Sequence, residues 1–182
     1  PEAPYDDGRY YAVYERAQAL RMPILFHTGY VGGRPGSALY ARSHSEYMRP
    51  WRLEHVARRF PELRILGAHL GKPHIHEALG LMEFLPNVYF DFSGASGAVE
   101  WQEEVIAALW PRPGTDWGDP DQHAALRHFR KLCFGTDNPP VSKWCAASEH
   151  IMDTLRIPAE LREDFYWRNA ARLFDLRNLL AS

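Results

Sequence analysis

The 182-residue sequence has few cysteines, no long apolar run and no marked excess of either charge. Its two cysteines, Cys133 and Cys145, are too few for a disulfide framework, and neither has a partner at zinc-site spacing, which favours a reducing compartment. No segment approaches the roughly 20 apolar residues of a membrane-spanning helix. A formal net charge of −2 gives no sign of a nucleic-acid-binding surface. We therefore expect a cytoplasmic protein that binds neither membranes nor nucleic acid.

What the sequence does contain is a regular alternation of strand-like and helix-like segments. Four short apolar stretches have the length and composition of buried strands, and helical spacing follows each of them. The predicted strands are residues 24–27, 63–68, 88–92 and 131–134. This order indicates parallel strands joined by right-handed helical crossovers in a single α/β domain over residues 1–182. A small open sheet and part of a (β/α) barrel both have this order, so the pattern alone leaves both possibilities.

The spacing of apolar residues also predicts which surfaces of the helices are buried. The last helix is predicted to run over residues 159–176, and Trp110 is expected to pack in the core or between helices. The residues expected on the buried face of the first helix are Tyr10, Val13, Tyr14, Ala17 and Leu20.

Polar side chains stand at the ends of the predicted strands. His27, His69 and Asp137 each lie within two residues of a glycine, which suits a chain that turns sharply beside a ligand. Taken singly, each has an ordinary explanation, as a buried imidazole with a hydrogen-bond partner or as an aspartate that caps the next helix. Together they offer imidazole nitrogens and a carboxylate, the usual ligands of catalytic zinc. A metal bound there would activate water, and a carboxylate beside it would accept the proton.

Two other patterns resemble metal motifs but are not expected to bind a metal. His74 and His76 form an H-x-H pair, but Pro73 places them at the start of a helix, where residues two apart point to different sides. His76 also begins the pattern H-E-x-x-H, which fails because residue 80 is a glycine. No glycine-rich phosphate-binding motif is present, so we assign no nucleotide-binding residues.

Five blocks occur in order along nearly the whole chain: PILFHTG, RFPELRILGAHLGKP, NVYFDFSG, LCFGTDNPP and NAARLFDL. These blocks resemble the amidohydrolase-related family. This is the branch of the amidohydrolase superfamily that also contains aminocarboxymuconate-semialdehyde and resorcylate decarboxylases. The resemblance implies a (β/α)8 TIM barrel that binds a divalent metal, usually zinc, and acts on a small-molecule substrate.

The resemblance also implies roles for individual residues. His27 matches the histidine of the fifth strand that is a metal ligand. His69 matches the histidine of the sixth strand that polarises the substrate or water. Asp137 matches the aspartate of the eighth strand, which is both a ligand and a proton acceptor. Asp91 matches a position on the seventh strand to which we assign no role.

One departure from the family pattern is large. The family begins with a strand that carries H-x-H and supplies two metal ligands, and this chain has no such strand. Residues 1–182 correspond to strands five to eight with their helices, and a whole barrel takes about 250 residues. We therefore expect the C-terminal half of a longer enzyme, or a truncated relative. Because a half barrel leaves open strand edges, we expect it to pair with the missing half or with a second copy in a homo-oligomer.

The same residues are compatible with three different functions. The first hypothesis is a metal-dependent hydrolase, in which metal-activated water attacks a C–N or C–O bond. The second is a metal-dependent decarboxylase, in which Arg34, Arg42 or Arg49 of the predicted 29–50 loop binds the substrate carboxylate. The third is an inactive half barrel or interaction module. We favour the hydrolase.

Overall fold

A computed structural model of the chain describes residues 1–31, 35–94, 98–138 and 140–176. Backbone contacts divide the chain into two compact units, Pro1–Phe90 and Asp91–Ser182. Among the described residues, no helix is both long enough and apolar enough to cross a membrane. The expectation of one barrel domain over the whole chain stays a prediction.

The first unit is built on parallel strands separated by helices. Its helices and strands, in chain order, are α1 (Tyr11–Ala19), β1 (Ile24–His27), α2 (Ala38–Arg42), α3 (Arg52–Arg59), β2 (Ile65–Ala68), α4 (Ile75–Phe84) and β3 (Val88–Asp91), whose last residue belongs to the second unit. Single 3-10 turns lie at Gly8–Tyr10, Ser45–Met48 and His69–Gly71. Parallel pairing joins β1 to β2, and β2 to β3, with His27 opposite Ala68 and Gly67 opposite Phe90.

The core of the first unit forms around β2. All four residues of β2 are buried, as expected for a parallel strand covered on both faces. A Cβ atom on Gly67 would overlap the ring of Phe90, so the close packing of β2 on β3 requires a glycine. Helix α3 buries Leu53, Val56 and Ala57, which have the spacing of one helical face.

The buried face of α1 is narrower than the sequence predicts. Tyr14 and Ala17 are buried, whereas Val13 is 60% and Leu20 51% exposed, so the prediction was wrong for these two residues. Both lie on one flank of the helix, beyond the face that contacts the core. Spacing shows which residues share an apolar stripe, but the width of the stripe that is covered depends on the neighbouring elements.

The second unit is mainly helical around one short strand. Its elements are α5 (Ala98–Leu109), α6 (Ala124–His128), β4 (Leu132–Cys133), α7 (Val141–Thr154), α8 (Ala159–Glu163) and α9 (Asn169–Leu173). A π-helical turn at Asp164–Arg168 interrupts the helix that was predicted to be continuous over 159–176. Within this turn the carbonyl of Phe165 accepts a hydrogen bond from the backbone N–H of Phe134, at 2.8 Å. This long-range hydrogen bond explains why the regular α-helix is interrupted here.

Aromatic side chains fill the core of the second unit. Phe92 stacks on Phe165 with ring centroids 5.0 Å apart, and Phe129 and Trp144 contact the same pair. All four side chains are almost completely buried. Asn169 is buried beside them, and its side-chain amide donates to the carbonyls of Phe129 and Leu132.

Candidate functional site

The two candidate histidines of the first unit lie side by side. His27 is the last residue of β1, and His69 directly follows β2, its neighbour in the sheet. Their ring centroids are 4.7 Å apart, with an angle of 66° between the ring planes. The prediction that parallel strands bring these two residues together is confirmed within this unit.

His27 is held by contacts that fix the orientation of its ring. Its Nε2 lies 2.9 Å from the carbonyl oxygen of Tyr30. A carbonyl only accepts hydrogen bonds, so Nε2 carries the proton and, in the neutral ring, Nδ1 carries the lone pair. The backbone carbonyl of His27 accepts a 2.7 Å hydrogen bond from the hydroxyl of Tyr5. Burial raises the pKa of Tyr5 well above its ordinary value, so this hydroxyl keeps its proton.

His69 begins a sharp turn with an unusual backbone. His69, Leu70 and Gly71 all have positive φ, at 70°, 47° and 69°. Non-glycine residues in this region are uncommon and carry a conformational cost of about 1–2 kcal/mol each. A side chain on Gly71 would overlap the ring of Pro50, so this position requires glycine for reasons of space as well.

The loop after His27 packs against the turn after His69 and is hydrogen-bonded to it. Gly29 has φ 90°, and a Cβ atom there would overlap the carbonyl of Lys72. That carbonyl also accepts a 2.9 Å hydrogen bond from the N–H of Tyr30. The backbone segments that follow the two histidines therefore support each other, and the glycines noted in the sequence are where they meet.

In the second unit, Asp91 is a buried carboxylate at the end of β3. It is 6% exposed, and its Oδ1 accepts hydrogen bonds from both the backbone N–H and the hydroxyl of Ser93. A Cβ atom on Gly135 would lie 3.3 Å from the Asp91 carboxyl carbon, so the chain after β4 passes close to this side chain. Burial, and secondarily the charge of Asp91, raises the pKa of the Cys133 thiol to about 12. Asp91 is thus held in one position.

Asp137 has a different environment. It is exposed and adopts φ 56°, a left-handed conformation that aspartate tolerates better than most residues. The capping explanation considered for Asp137 does not apply to α7, because the N-cap residue of α7 is Pro140, with no side-chain cap hydrogen bond. Its carboxylate is therefore on the surface of the second unit, near the end of β4.

The arginines proposed to bind a carboxylate differ in availability. Arg49 forms ion pairs with Glu77 and Glu46, so its charge is already balanced. Arg42 is largely exposed and lies 4.0 Å from Glu2. Arg34 lies outside the described residues.

These donors fit a metal ion by type but not by number. Residues 1–31, 35–94, 98–138 and 140–176 contain no group of three or more His, Cys, Asp or Glu side chains arranged to hold a metal ion. Catalytic zinc takes three protein ligands as a rule. The first unit supplies two adjacent imidazoles, so a complete metal site needs ligands beyond these.

Two side chains that support the site were not found from the sequence. Tyr5 binds the backbone of His27, and Ser93 binds the Asp91 side chain. The only sequence signal for Ser93 was its position two residues after an aspartate, where a local side-chain to backbone turn is common. No spacing rule links Tyr5 to His27.

Comparison with known proteins gives consistent results. The sequence profile of the amidohydrolase family matches residues 1–176. No curated protein shows a significant match. An uncharacterized TIM-barrel protein from Bordetella bronchiseptica is 21% identical with a TM-score of 0.58, over 93% of this chain and 51% of that one. An amidohydrolase from Burkholderia multivorans with bound zinc is 17% identical with a TM-score of 0.59, over 93% and 58%. A 2,6-dihydroxybenzoate decarboxylase complexed with 2,6-dihydroxybenzoate is 15% identical with a TM-score of 0.57, over 96% and 57%.

At these identities the solved structures establish the fold alone. This chain spans 51–58% of their lengths, and the predicted α/β fold of the TIM-barrel type, present in part, is confirmed. The profile match covers all of the motifs that carry His27, His69, Asp91 and Asp137. The chain belongs to the amidohydrolase family.

Proposed function

We propose that this chain provides His27, His69 and Asp137 to the active site of a metal-dependent hydrolase that acts on a small molecule. The observation that carries the proposal is the pair of histidine rings, 4.7 Å apart at the ends of neighbouring strands. A divalent metal, zinc in the amidohydrolase from Burkholderia multivorans, supplies a Lewis acid and an activated water when it is bound. Cleavage of a C–N or C–O bond by this water is part of the proposal.

The contacts of each residue support its proposed role. His27 donates from Nε2 to a backbone carbonyl, so in the neutral ring Nδ1 has the lone pair that a metal ligand needs, and a histidine ligand commonly donates from its other nitrogen in this way. The ring of His69 lies against that of His27, which supports its proposed role as the hydrogen-bond donor to an oxyanion. Asp137, an exposed carboxylate near a strand end, is proposed as a ligand and as the group that accepts a proton.

The shortage of ligands implies a partner, which we propose to be the half of the barrel that the longer relatives contain. In the described sheet, β1 lies at the edge, and Leu25 on this strand is 60% exposed. Val13, Leu20 and Met22, which are near β1 in sequence, are also exposed. An open strand edge beside exposed apolar side chains is typical of a surface that another chain segment covers. A homo-oligomer would cover the same surface.

Decarboxylation is the second candidate, because the 2,6-dihydroxybenzoate decarboxylase has a similar fold. In this reaction a cation binds the substrate carboxylate. Arg42 is better placed than Arg49 for this role, since Arg49 is engaged by Glu77. Incubation in 18O-labelled water distinguishes the two reactions. A hydrolase incorporates the label into the product of 4-nitrophenyl acetate or 4-nitroacetanilide, whereas a decarboxylase releases carbon dioxide from 2,6-dihydroxybenzoate.

Metal content per chain tests the proposed site directly. Purified without chelators and measured by elemental mass spectrometry, the protein is expected to hold about one divalent ion per chain. His27→Ala and Asp137→Ala should each reduce the metal content at least about tenfold, because each variant removes a proposed ligand. His69→Ala should keep the metal but lose turnover. His76→Ala, an exposed histidine on α4, is the matched control and should change neither.

Two results contradict the proposal. Metal that remains bound in both His27→Ala and Asp137→Ala would place the site elsewhere. Protein without metal that also fails to bind added zinc would favour the inactive half barrel or interaction module.

A further inference from the structure

A cavity lies in the second unit, beside α6. It has a volume of about 520 Å³ and is lined by residues from the end of α5, from the segment after it and from α6. This volume falls in the range of about 300–1,000 Å³ that is usual for small-molecule sites. We propose that this cavity binds a small planar carboxylate.

Within the second unit, the cavity lies near the start of β4, whereas Asp91 and Asp137 follow strand ends. Helix α6 ends at His128, and β4 begins at Leu132, so the cavity is where the chain enters the strand. Asp137 and Asp91 follow the other ends of β4 and β3. In (β/α) folds, chemistry is located at the carboxyl ends of strands, so a ligand here is not a substrate at the reacting centre.

The charge of the lining favours an anion. Arg112 and Arg127 both line the cavity, and among the described lining residues Asp121 is the only acidic one. Arg112 is exposed, and no salt bridge joins it to a carboxylate in the described part of the chain. Arg127 donates to the carbonyl of Pro120, which holds its guanidinium in place. A guanidinium binds a carboxylate through two parallel hydrogen bonds, which gives both strength and orientation.

An aromatic surface beside these charges favours a planar ligand. Trp110 lines the cavity and is 53% exposed, although its sequence position led us to expect it in the core. Its edge-on contact with Trp117, with ring centroids 5.3 Å apart, fixes its orientation. The guanidinium carbon of Arg156 in turn lies over Trp117, 4.5 Å from the ring centroid. A fixed and exposed indole offers a flat apolar face next to Arg112.

The test uses benzoate as the probe and benzamide as its uncharged counterpart. In two-dimensional NMR spectra of the full chain, benzoate should shift the indole N–H signal of Trp110 in a saturable way, with a dissociation constant of about 1 mM or lower. Benzamide should bind at least tenfold more weakly. Arg112→Gln should weaken benzoate binding at least tenfold, because the exposed arginine supplies the paired hydrogen bonds.

Two control variants separate this site from the proposed active site. Arg130→Gln changes an exposed arginine that does not line the cavity, and it should leave benzoate binding unchanged. His27→Ala should also leave it unchanged, whatever its effect on metal content. The proposal is overturned if the Trp110 signal does not saturate, if Arg112→Gln binds benzoate as tightly as the original protein, or if only His27→Ala abolishes binding.

Discussion

The two units use the same device, an asparagine amide, to join the end of a helix to a strand. In the first unit, Asn87 donates to the carbonyls of Ala57, Phe60 and Leu63, at 2.9–3.2 Å. In the second, Asn169 donates to two carbonyls at 2.7–2.8 Å. Asn169 is completely buried, whereas water reaches Asn87. The two sets of hydrogen bonds should therefore contribute differently to stability, since water can take the place of the partly exposed Asn87 amide but not that of the buried Asn169 amide.

The strand ends of the units differ in a second way. In the first unit, two imidazoles contact each other on backbone segments that are bonded together. In the second, Asp91 is buried and held by Ser93, while Asp137 is exposed. The first unit therefore presents a fixed pair of imidazoles. The second presents one buried and hydrogen-bonded carboxylate, Asp91, and one exposed carboxylate, Asp137.

Removing the asparagine amides should give the largest effect. Asn169→Ala is expected to destabilise the protein by about 3 kcal/mol, because two buried carbonyls lose their donors at about 1–3 kcal/mol each. Asn87→Ala should cost about 1 kcal/mol, since water can replace the lost donor. Chemical unfolding measures the total loss of unfolding free energy, and hydrogen exchange shows which unit is destabilised. Asn138→Ala, at an exposed position, is the control. Equal losses for Asn87 and Asn169 would remove the distinction drawn from their burial.

Adding a methyl group at a glycine should have the next largest effect. Gly67→Ala is expected to cost about 2–3 kcal/mol, because its Cβ would overlap the buried Phe90 ring. Gly135→Ala should cost about 1 kcal/mol, since its Cβ would lie 3.3 Å from the Asp91 carboxyl group, a contact that a small shift relieves. Thermal unfolding measures both.

A glycine with free space around it provides the control for this pair. Gly80 is in α4, and a Cβ there meets no atom within 4 Å. Gly80→Ala should stabilise the protein by about 0.5–1 kcal/mol through helix propensity. A neutral or stabilising Gly67→Ala would contradict the close packing of β2 on β3.

Alkaline pH should produce the smallest effect, and it should arise in the second unit. Burial holds the pKa of Cys133 at about 12, above its ordinary value of 9.0. Above pH 9 the unfolded chain loses the thiol proton while the folded chain keeps it. Between pH 9 and 10, stability should therefore fall by about 1 kcal/mol. Burial also raises the pKa values of Tyr5 and Tyr14 in the first unit. These two residues lower the stability of the folded state mainly above pH 10, the ordinary pKa of tyrosine.

Comparison with Cys133→Ala isolates this contribution. The stability difference between the variant and the original protein should be constant below pH 9 and should change in favour of the variant between pH 9 and 10. A difference that stays constant over that interval would show that the thiol ionises normally in the fold.

Much of the fold could be predicted because it rests on local patterns. The parallel strands and the proximity of His27 and His69 follow from the strand–helix order. Gly29 and Gly71 could be found because a sharp turn limits the choice of residue.

The rest depends on contacts between distant parts of the chain. The bond from Tyr5 to His27 and the one from Phe134 to Phe165 leave no mark on local periodicity. The exposure of Val13 and Trp110 depends on which surfaces the neighbouring elements cover. The role of Asp137 stays a prediction, since its proposed function involves groups beyond its own unit.

In stereochemical terms, the turn at His69–Gly71 is a short segment of the opposite hand within a chain of L-residues. Leu70 adopts it at φ 47° while its side chain is completely buried. Burial of a leucine contributes about 2 kcal/mol, enough to offset a backbone cost of about 1–2 kcal/mol. A glycine at this position would relieve the backbone but leave a void. The position of His69, a candidate catalytic residue, therefore depends on the hydrophobic packing of its neighbour, which itself takes no part in the chemistry.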